Sequence, residues 1–168
     1  CKSLVYQCRD DGMGNLWLCT NQGLVRYNPY RRLLRLFDNA NSQLPDKEVF
    51  CIDFDLGGRG WISTRNGNCI YDPTSETIST KNLPNKFVAL GQLRDIQRME
   101  DGQMLFLPQR GVPVTADGSV LNFTRLSFDV GEDAPNISFF RKHNGICYFC
   151  TDNGFYTFRN DSLRCYGY

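Results

Sequence analysis

The stretch Asp11–Pro29, DGMGNLWLCTNQGLVRYNP, returns 44 residues later as Asp55–Pro73, DLGGRGWISTRNGNCIYDP. Asp11, Gly14, Trp17, Thr20, Gly23, Tyr27 and Pro29 recur as Asp55, Gly58, Trp61, Thr64, Gly67, Tyr71 and Pro73, and the match runs without gaps back to Val5 and Val49. A further step of 44 carries the two glycines to Gly102 and Gly111; another of 43 carries them to Gly145 and Gly154, with Thr151 in the threonine's place. A period in this range marks a repeat architecture built from one supersecondary unit.

Within the first unit, apolar runs of about five residues alternate with turn residues. Val5–Arg9 precedes the polar turn 10–15, Leu16–Thr20 precedes Asn21–Gly23, Leu24–Asn28 ends at Pro29, and Leu33–Phe37 follows. No window has helical periodicity, so the spacing predicts an all-β meander of four strands per unit. Four-stranded units of 40 to 50 residues are what propeller blades look like. The expected architecture is a β-propeller with blades at 1–43, 44–83, 84–131 and 132–168. Trp17, Trp61, Leu105 and Tyr148 share one position on the second strand, and Tyr27, Tyr71 and Phe158 share one on the third. Large apolar groups at matching places suit the wedge between blades, where a sheet is buried on both faces. Asp11 and Asp55 are expected to cap their own turns, and the recurring glycines to take positive φ.

The units are not perfect copies. Leu83–Val88 matches Leu44–Val49 at a shift of 39, so five residues are lost from the outer-strand region of unit two and regained between Val88 and Gly102. That gain is read as a loop at a blade crossing, a place where function concentrates. Eight cysteines are present. Cys147 and Cys150 have CxxC spacing but fall within a predicted strand, where positions three apart point to opposite faces. Small buried hydrophobes are the expectation for the cysteines.

At 41% hydrophobic and 22% charged over 168 residues, the composition is that of a folded domain. A formal charge of +1 with no basic run beyond Arg31-Arg32 excludes a nucleic-acid surface. Apolar runs of four or five residues exclude a membrane span of their own. Opening on Cys1, with an exposed blade face expected at each end, the four units are expected to belong to a longer propeller, or else to close on themselves or pair with a second chain.

The segment Asp11–Pro29, together with Leu44–Val49 and Leu83–Val88 before the inner strands, resembles the two-component regulator propeller repeat family. The resemblance is strong in units one and two and weakens in three and four, where Leu105 and Tyr148 replace Trp and Pro108 replaces Thr. It implies a sevenfold propeller in the periplasmic or extracellular sensor half of an inner-membrane receptor that carries a histidine kinase elsewhere, as in gut Bacteroidetes, responding to glycan breakdown products.

Three function classes suit a propeller of this kind. A ligand-sensing module would use the loops at the second-to-third strand turns, Asn21, Gln22, Arg65, Asn66, Gln109, Arg110, Asp152 and Asn153, with Val88–Gln92 beside them. Amides and guanidinium groups converging near a channel suit an oligosaccharide. An enzyme resembling the streptogramin lyases would need a placed acid or base; the lone His143 falls in the turn 141–145 at the opposite end. A protein-interaction scaffold would use the patch of Tyr27, Tyr30, Arg31 and Arg32. The Asn-x-Ser/Thr triplets at Asn122, Asn136 and Asn160 are read as chance. No catalytic residue, metal set or cofactor motif is expected. The sensing module is the favoured reading.

Overall fold

The computed structural model describes residues 3–117, 123–128, 137–152, 154–160 and 162–166, so that Cys1, Asn122, Asn136 and Asn153 lie outside it. Four antiparallel four-stranded sheets follow one another along the chain, each in simple meander order. The first holds β1 (Val5–Asp10), β2 (Leu16–Thr20), β3 (Gly23–Asn28) and β4 (Leu33–Phe37). The second holds β5 (Val49–Phe54), β6 (Gly60–Thr64), β7 (Gly67–Asp72) and β8 (Thr77–Ser79). After a single-turn helix α1 (Asn85–Ala89) comes the third sheet, with β9 (Leu93–Arg98), β10 (Met104–Pro108), β11 (Val114–Ala116) and β12 (Phe123–Arg125). The fourth has β13 (Ile137–His143), β14 (Ile146–Thr151), β15 (Gly154–Arg159) and β16 (Ser162–Tyr166). The protein is a β-propeller array of four blades.

The repeated residues fall into place as chemistry. Asp11 Oδ1 accepts the backbone N–H groups of Met13 and Asn15, while Oδ2 accepts the Trp17 indole N–H at 2.9 Å. Asp55 does the same for Gly57, Arg59 and the Trp61 indole, the last at 3.1 Å. Thr20, Thr64 and Thr151 each donate a hydroxyl hydrogen bond to the carbonyl of the glycine three residues on, at 2.7, 2.7 and 2.9 Å. The turn glycines have positive φ at all eight recurring positions, from 72° at Gly145 to 140° at Gly67. At Gly23 a Cβ would lie 2.4 Å from the Phe37 carbonyl oxygen, so the turn excludes any side chain.

The core lies between blades. Trp17, Leu24 and Phe37 of the first blade pack against Ile52, Phe54, Ile62 and Tyr71 of the second. The Trp17 ring sits 5.8 Å from Phe37, 5.4 Å from Phe54 and 4.7 Å from Tyr71. Trp61 plays the same part between blades two and three, and Leu105 between three and four. The second-strand ring thus faces the following blade and the third-strand ring faces the preceding one.

That rule corrects the expectation of a uniformly buried ring set. Tyr148 is half-buried because no described blade covers its side of blade four, and Tyr27 is half-buried because none covers its side of blade one. Cys19, Cys51, Cys69 and Cys147 are buried small hydrophobes, but Cys8 and Cys165 are exposed, also on the end blades, and all seven described cysteines are free thiols. The regained stretch Val88–Gln92 is part helix and part loop: Val88 and Ala89 close α1, and Leu90–Gln92 turn into β9. Just before it on the same helix, Phe87 is fully buried with ring centroids 4.8 Å from Trp61 and 5.3 Å from Phe106. The helix is a plug for the wedge beside the short β8.

Candidate functional site

Each inner strand carries the same irregularity at the same place. The register to the second strand skips one residue, Tyr6 in β1, Phe50 in β5, Arg94 in β9 and Ser138 in β13, successive steps of 44. A bulge leaves its extra residue out of the ladder and re-aims the side chain, a device common beside sites. Here it places four residues at the end of the propeller that also carries the second-to-third strand turns. Tyr6 and Phe50 meet with ring centroids 5.5 Å apart. Arg94 donates to the carbonyls of Gln109, at 3.2 Å, and of Ile137, spanning blades three and four.

At this end, between blades one and two, an open groove of about 560 Å³ is lined by Leu4, Tyr6, Asn21, Gln22, Asp46, Lys47, Glu48, Arg65 and Asn66. Four of the residues singled out by sequence, Asn21, Gln22, Arg65 and Asn66, come together in it. Gln109 and Arg110 are exposed on blade three and Asp152 on blade four, outside its lining, and Asn153 is outside the described residues. Val88–Gln92 does not line it either; Val88 is exposed on α1.

The groove is held by its own hydrogen bonds. The Tyr6 hydroxyl donates to Glu48 Oε1 at 2.7 Å, and Arg65 Nη1 donates to Glu48 Oε2 at 3.0 Å. The Asn66 amide donates to Asp46 Oδ2 at 2.6 Å. The Tyr6 hydrogen bond, aided by Arg65, holds the Glu48 carboxyl below its ordinary range, and the same bond raises the Tyr6 phenol. Asn21 spends its side-chain oxygen on the Leu4 N–H at 2.9 Å, which makes it a turn former first. The groove's charges cancel, Asp46 and Glu48 against Lys47 and Arg65, leaving amides, hydroxyl and one aromatic face to meet a ligand.

Further along the inner strands, Gln7, Arg9, Asp53, Asp95 and Gln97 tie three blades together. Asp95 accepts from Gln7 at 2.7 Å, from Arg9 at 3.2 Å and from Gln97 at 2.8 Å. Burial pushes its carboxyl up, with Arg9 and Gln97 opposing. Arg9, Asp53 and Gln97 are repeat equivalents, and their dissimilar chemistry is why the pattern is silent in sequence.

The opposite end holds a larger hollow of about 700 Å³ bordered by Asp55, Asp72, Asp101, Asp117 and Arg59. Three of its acids serve their own turns: Asp55 as above, Asp72 by accepting from Thr74 and Ser75, and Asp101 by accepting from Gln103. Among the described residues no cluster of three metal-type side chains occurs, and no helix is long and apolar enough to cross a membrane. His143 is exposed at that end, paired with Ile146 across the first turn of blade four.

No family model and no curated protein matches the chain in sequence. Solved structures do match in fold. The extracellular domain of BT3049 from B. thetaiotaomicron, assigned to a hybrid two component system, aligns over 98% of this chain and 23% of its own, at 21% identity and TM-score 0.77. The extracellular domain of BT4673 from the same organism aligns over 96% of this chain and 22% of its own, at 22% identity and TM-score 0.70. A catalytically inactive virginiamycin B lyase from Staphylococcus aureus, solved with quinupristin, covers 98% of this chain and 55% of its own at 18% identity and TM-score 0.70. The chain therefore spans less than a quarter of each of these two extracellular domains, and the likeness establishes one thing: it has the fold of a β-propeller.

Proposed function

We propose that this chain is the ligand-sensing part of an extracytoplasmic receptor in two-component signalling, and that its groove takes a neutral oligosaccharide. The observation that carries the reading is the groove itself. Bulged Tyr6 offers an apolar ring to the C–H face of a sugar, and Gln22 and Asn66 supply amides for hydroxyls. Two carboxylates and two cations cancel, so a charged ligand gains nothing from the field there. The repeat pattern of Asp11–Pro29 and the shared fold with bacterial extracellular sensor domains support the receptor context. The histidine kinase and the membrane anchor belong to the parent protein.

The test is a glycan array probed with the labelled chain. Neutral oligosaccharides should be captured, and Tyr6→Ala should lose them at least tenfold while Leu56→Ala, at the far end, keeps them. Capture that survives Tyr6→Ala unchanged, or turnover of the bound glycan, would overturn the reading.

A further inference from the structure

The groove between blades one and two is framed by two inner strands. Tyr6 stands on β1, and Glu48 stands just ahead of β5. What joins those strands lies one residue past the bulge. Gln7 follows Tyr6, and its side chain leaves blade one altogether. Gln7 Oε1 accepts the backbone N–H of Ile52 on β5 at 2.8 Å, and Gln7 Nε2 donates to Asp95 Oδ1 on β9 at 2.7 Å.

The two bonds depend on each other. An amide can face Ile52 with its oxygen or its nitrogen, and only the oxygen can accept an N–H. Asp95 decides which. Its Oδ1 also accepts the Ile96 N–H at 2.8 Å and Arg9 Nη2 at 3.2 Å, and its Oδ2 accepts Gln97 Nε2 at 2.8 Å. A carboxylate among donors offers acceptor atoms alone, so the NH₂ of Gln7 must face it and the carbonyl must face β5. Ile52 is fully buried, so its N–H cannot turn to water instead. Blade two has a weaker version of the same link: Cys51, the residue after the Phe50 bulge, reaches the Leu93 carbonyl of β9 with its thiol at 3.8 Å. The four positions after the bulges are Gln7, Cys51, Asp95 and Phe139, so blade one alone has an amide there.

We infer that Gln7 is a positioning residue for the groove: oriented by Asp95 of blade three, its amide clamps β1 to β5 and so sets the Tyr6 hydroxyl on Glu48. The Tyr6–Glu48 bond of 2.7 Å and the Tyr6–Phe50 ring contact of 5.5 Å both span the two strands that Gln7 joins. Gln7 therefore acts on a ligand through Tyr6. That bearing on a ligand rests on the proposed function; the clamp itself does not.

The experiment follows the Glu48 carboxyl by NMR through an acid titration of the full chain, with no ligand present. The Tyr6 hydrogen bond holds that carboxyl below its ordinary 4.5, and Tyr6→Phe gives the position it takes without the bond. Gln7→Met removes both arms of the clamp without adding charge and should move Glu48 up to the Tyr6→Phe position. Gln7→Asn, one methylene too short to reach both partners, should do the same, and it serves if circular dichroism finds Gln7→Met unfolded. Loss of stability alone would leave Glu48 where it is in the folded chain. Exchanging the roles, Gln7→Glu with Asp95→Asn, keeps the net charge and puts a carboxylate where it accepts from both sides, so Glu48 should return to the parent position. Glu48 unmoved in a folded single variant would overturn the inference, as would an exchange variant that stays at the Tyr6→Phe position. On the glycan array the single variants should lose capture about tenfold and the exchange variant should regain it. A Glu48 shift with no glycan captured by the parent would support the clamp and remove the proposed function. Capture by the parent with Glu48 unmoved would do the reverse.

Discussion

Asp11 and Asp55 recur with Trp17 and Trp61 because each aspartate holds both its own turn and the indole of the strand that follows. Blade three loses both together: Met99 and Leu105 take the two places and join one apolar cluster, Met99 touching Cys147. An aspartate left there without the indole would be a buried carboxylate short of partners. Asp55→Ala should therefore cost about 2–3 kcal/mol in urea unfolding. For Asp11, burial raises the carboxyl, but hydrogen bonds from Trp17, Asn15 and Met13 outweigh it and leave its pKa below the ordinary 3.8. Its contribution to stability is thus complete above that value and is lost as pH falls through the lower folded one. Asp11→Asn should flatten the loss of stability below pH 4, where the parent steepens. An unchanged acid limb would show that the turn does not depend on the charge. The residue types of this motif were legible in sequence, whereas the Asp–Trp bond was not, because a six-residue separation gives no hint that the side chains meet.

At the scale of elements, the strands were legible because turn residues bound them so tightly; β2 and β4 lie where the apolar runs put them. The helix α1 was not, since one turn is too short to show periodicity and its burial rests on one residue. Phe87→Ala should cost about 3–5 kcal/mol, measured by urea titration, since rings of Trp61 and Phe106 surround it and cannot collapse into the space. A cost under 1 kcal/mol would mean that the plug is dispensable. The bulges were also invisible, because a bulge is a matter of register and its occupants, Tyr6, Phe50, Arg94 and Ser138, share no chemistry. In the groove, the lowered Glu48 carboxyl keeps the Tyr6–Glu48–Arg65 bracket intact as pH falls past the ordinary value of 4.5. Ligand affinity should stay flat from neutral pH to about 5 and fall only in stronger acid, and Glu48→Gln should remove that fall. Affinity that declines already between pH 7 and 6 would point to a different titrating group.

For the whole molecule, two ends of one propeller compete for the role of ligand face. The hollow at the first-to-second strand turns is larger, about 700 Å³ against 560 Å³, but Asp55, Asp72 and Asp101 in it are committed to their own turns. The smaller groove collects side chains from two blades, and one of the bulged residues, Tyr6, lines it. Four of the groove's nine lining residues were readable from sequence because turns at a fixed period stack at one end; Gln109, Arg110 and Asp152 share that end and still miss the groove, since they stand on blades three and four. The measurement that decides the matter is amide chemical-shift mapping of the labelled chain as a neutral oligosaccharide from the array is titrated in. Shifts should centre on Tyr6, Gln22, Glu48, Arg65 and Asn66, with Asp72–Thr74 and Asp101–Gln103 unmoved. Shifts centred on those far-end turns, with the groove silent, would contradict it.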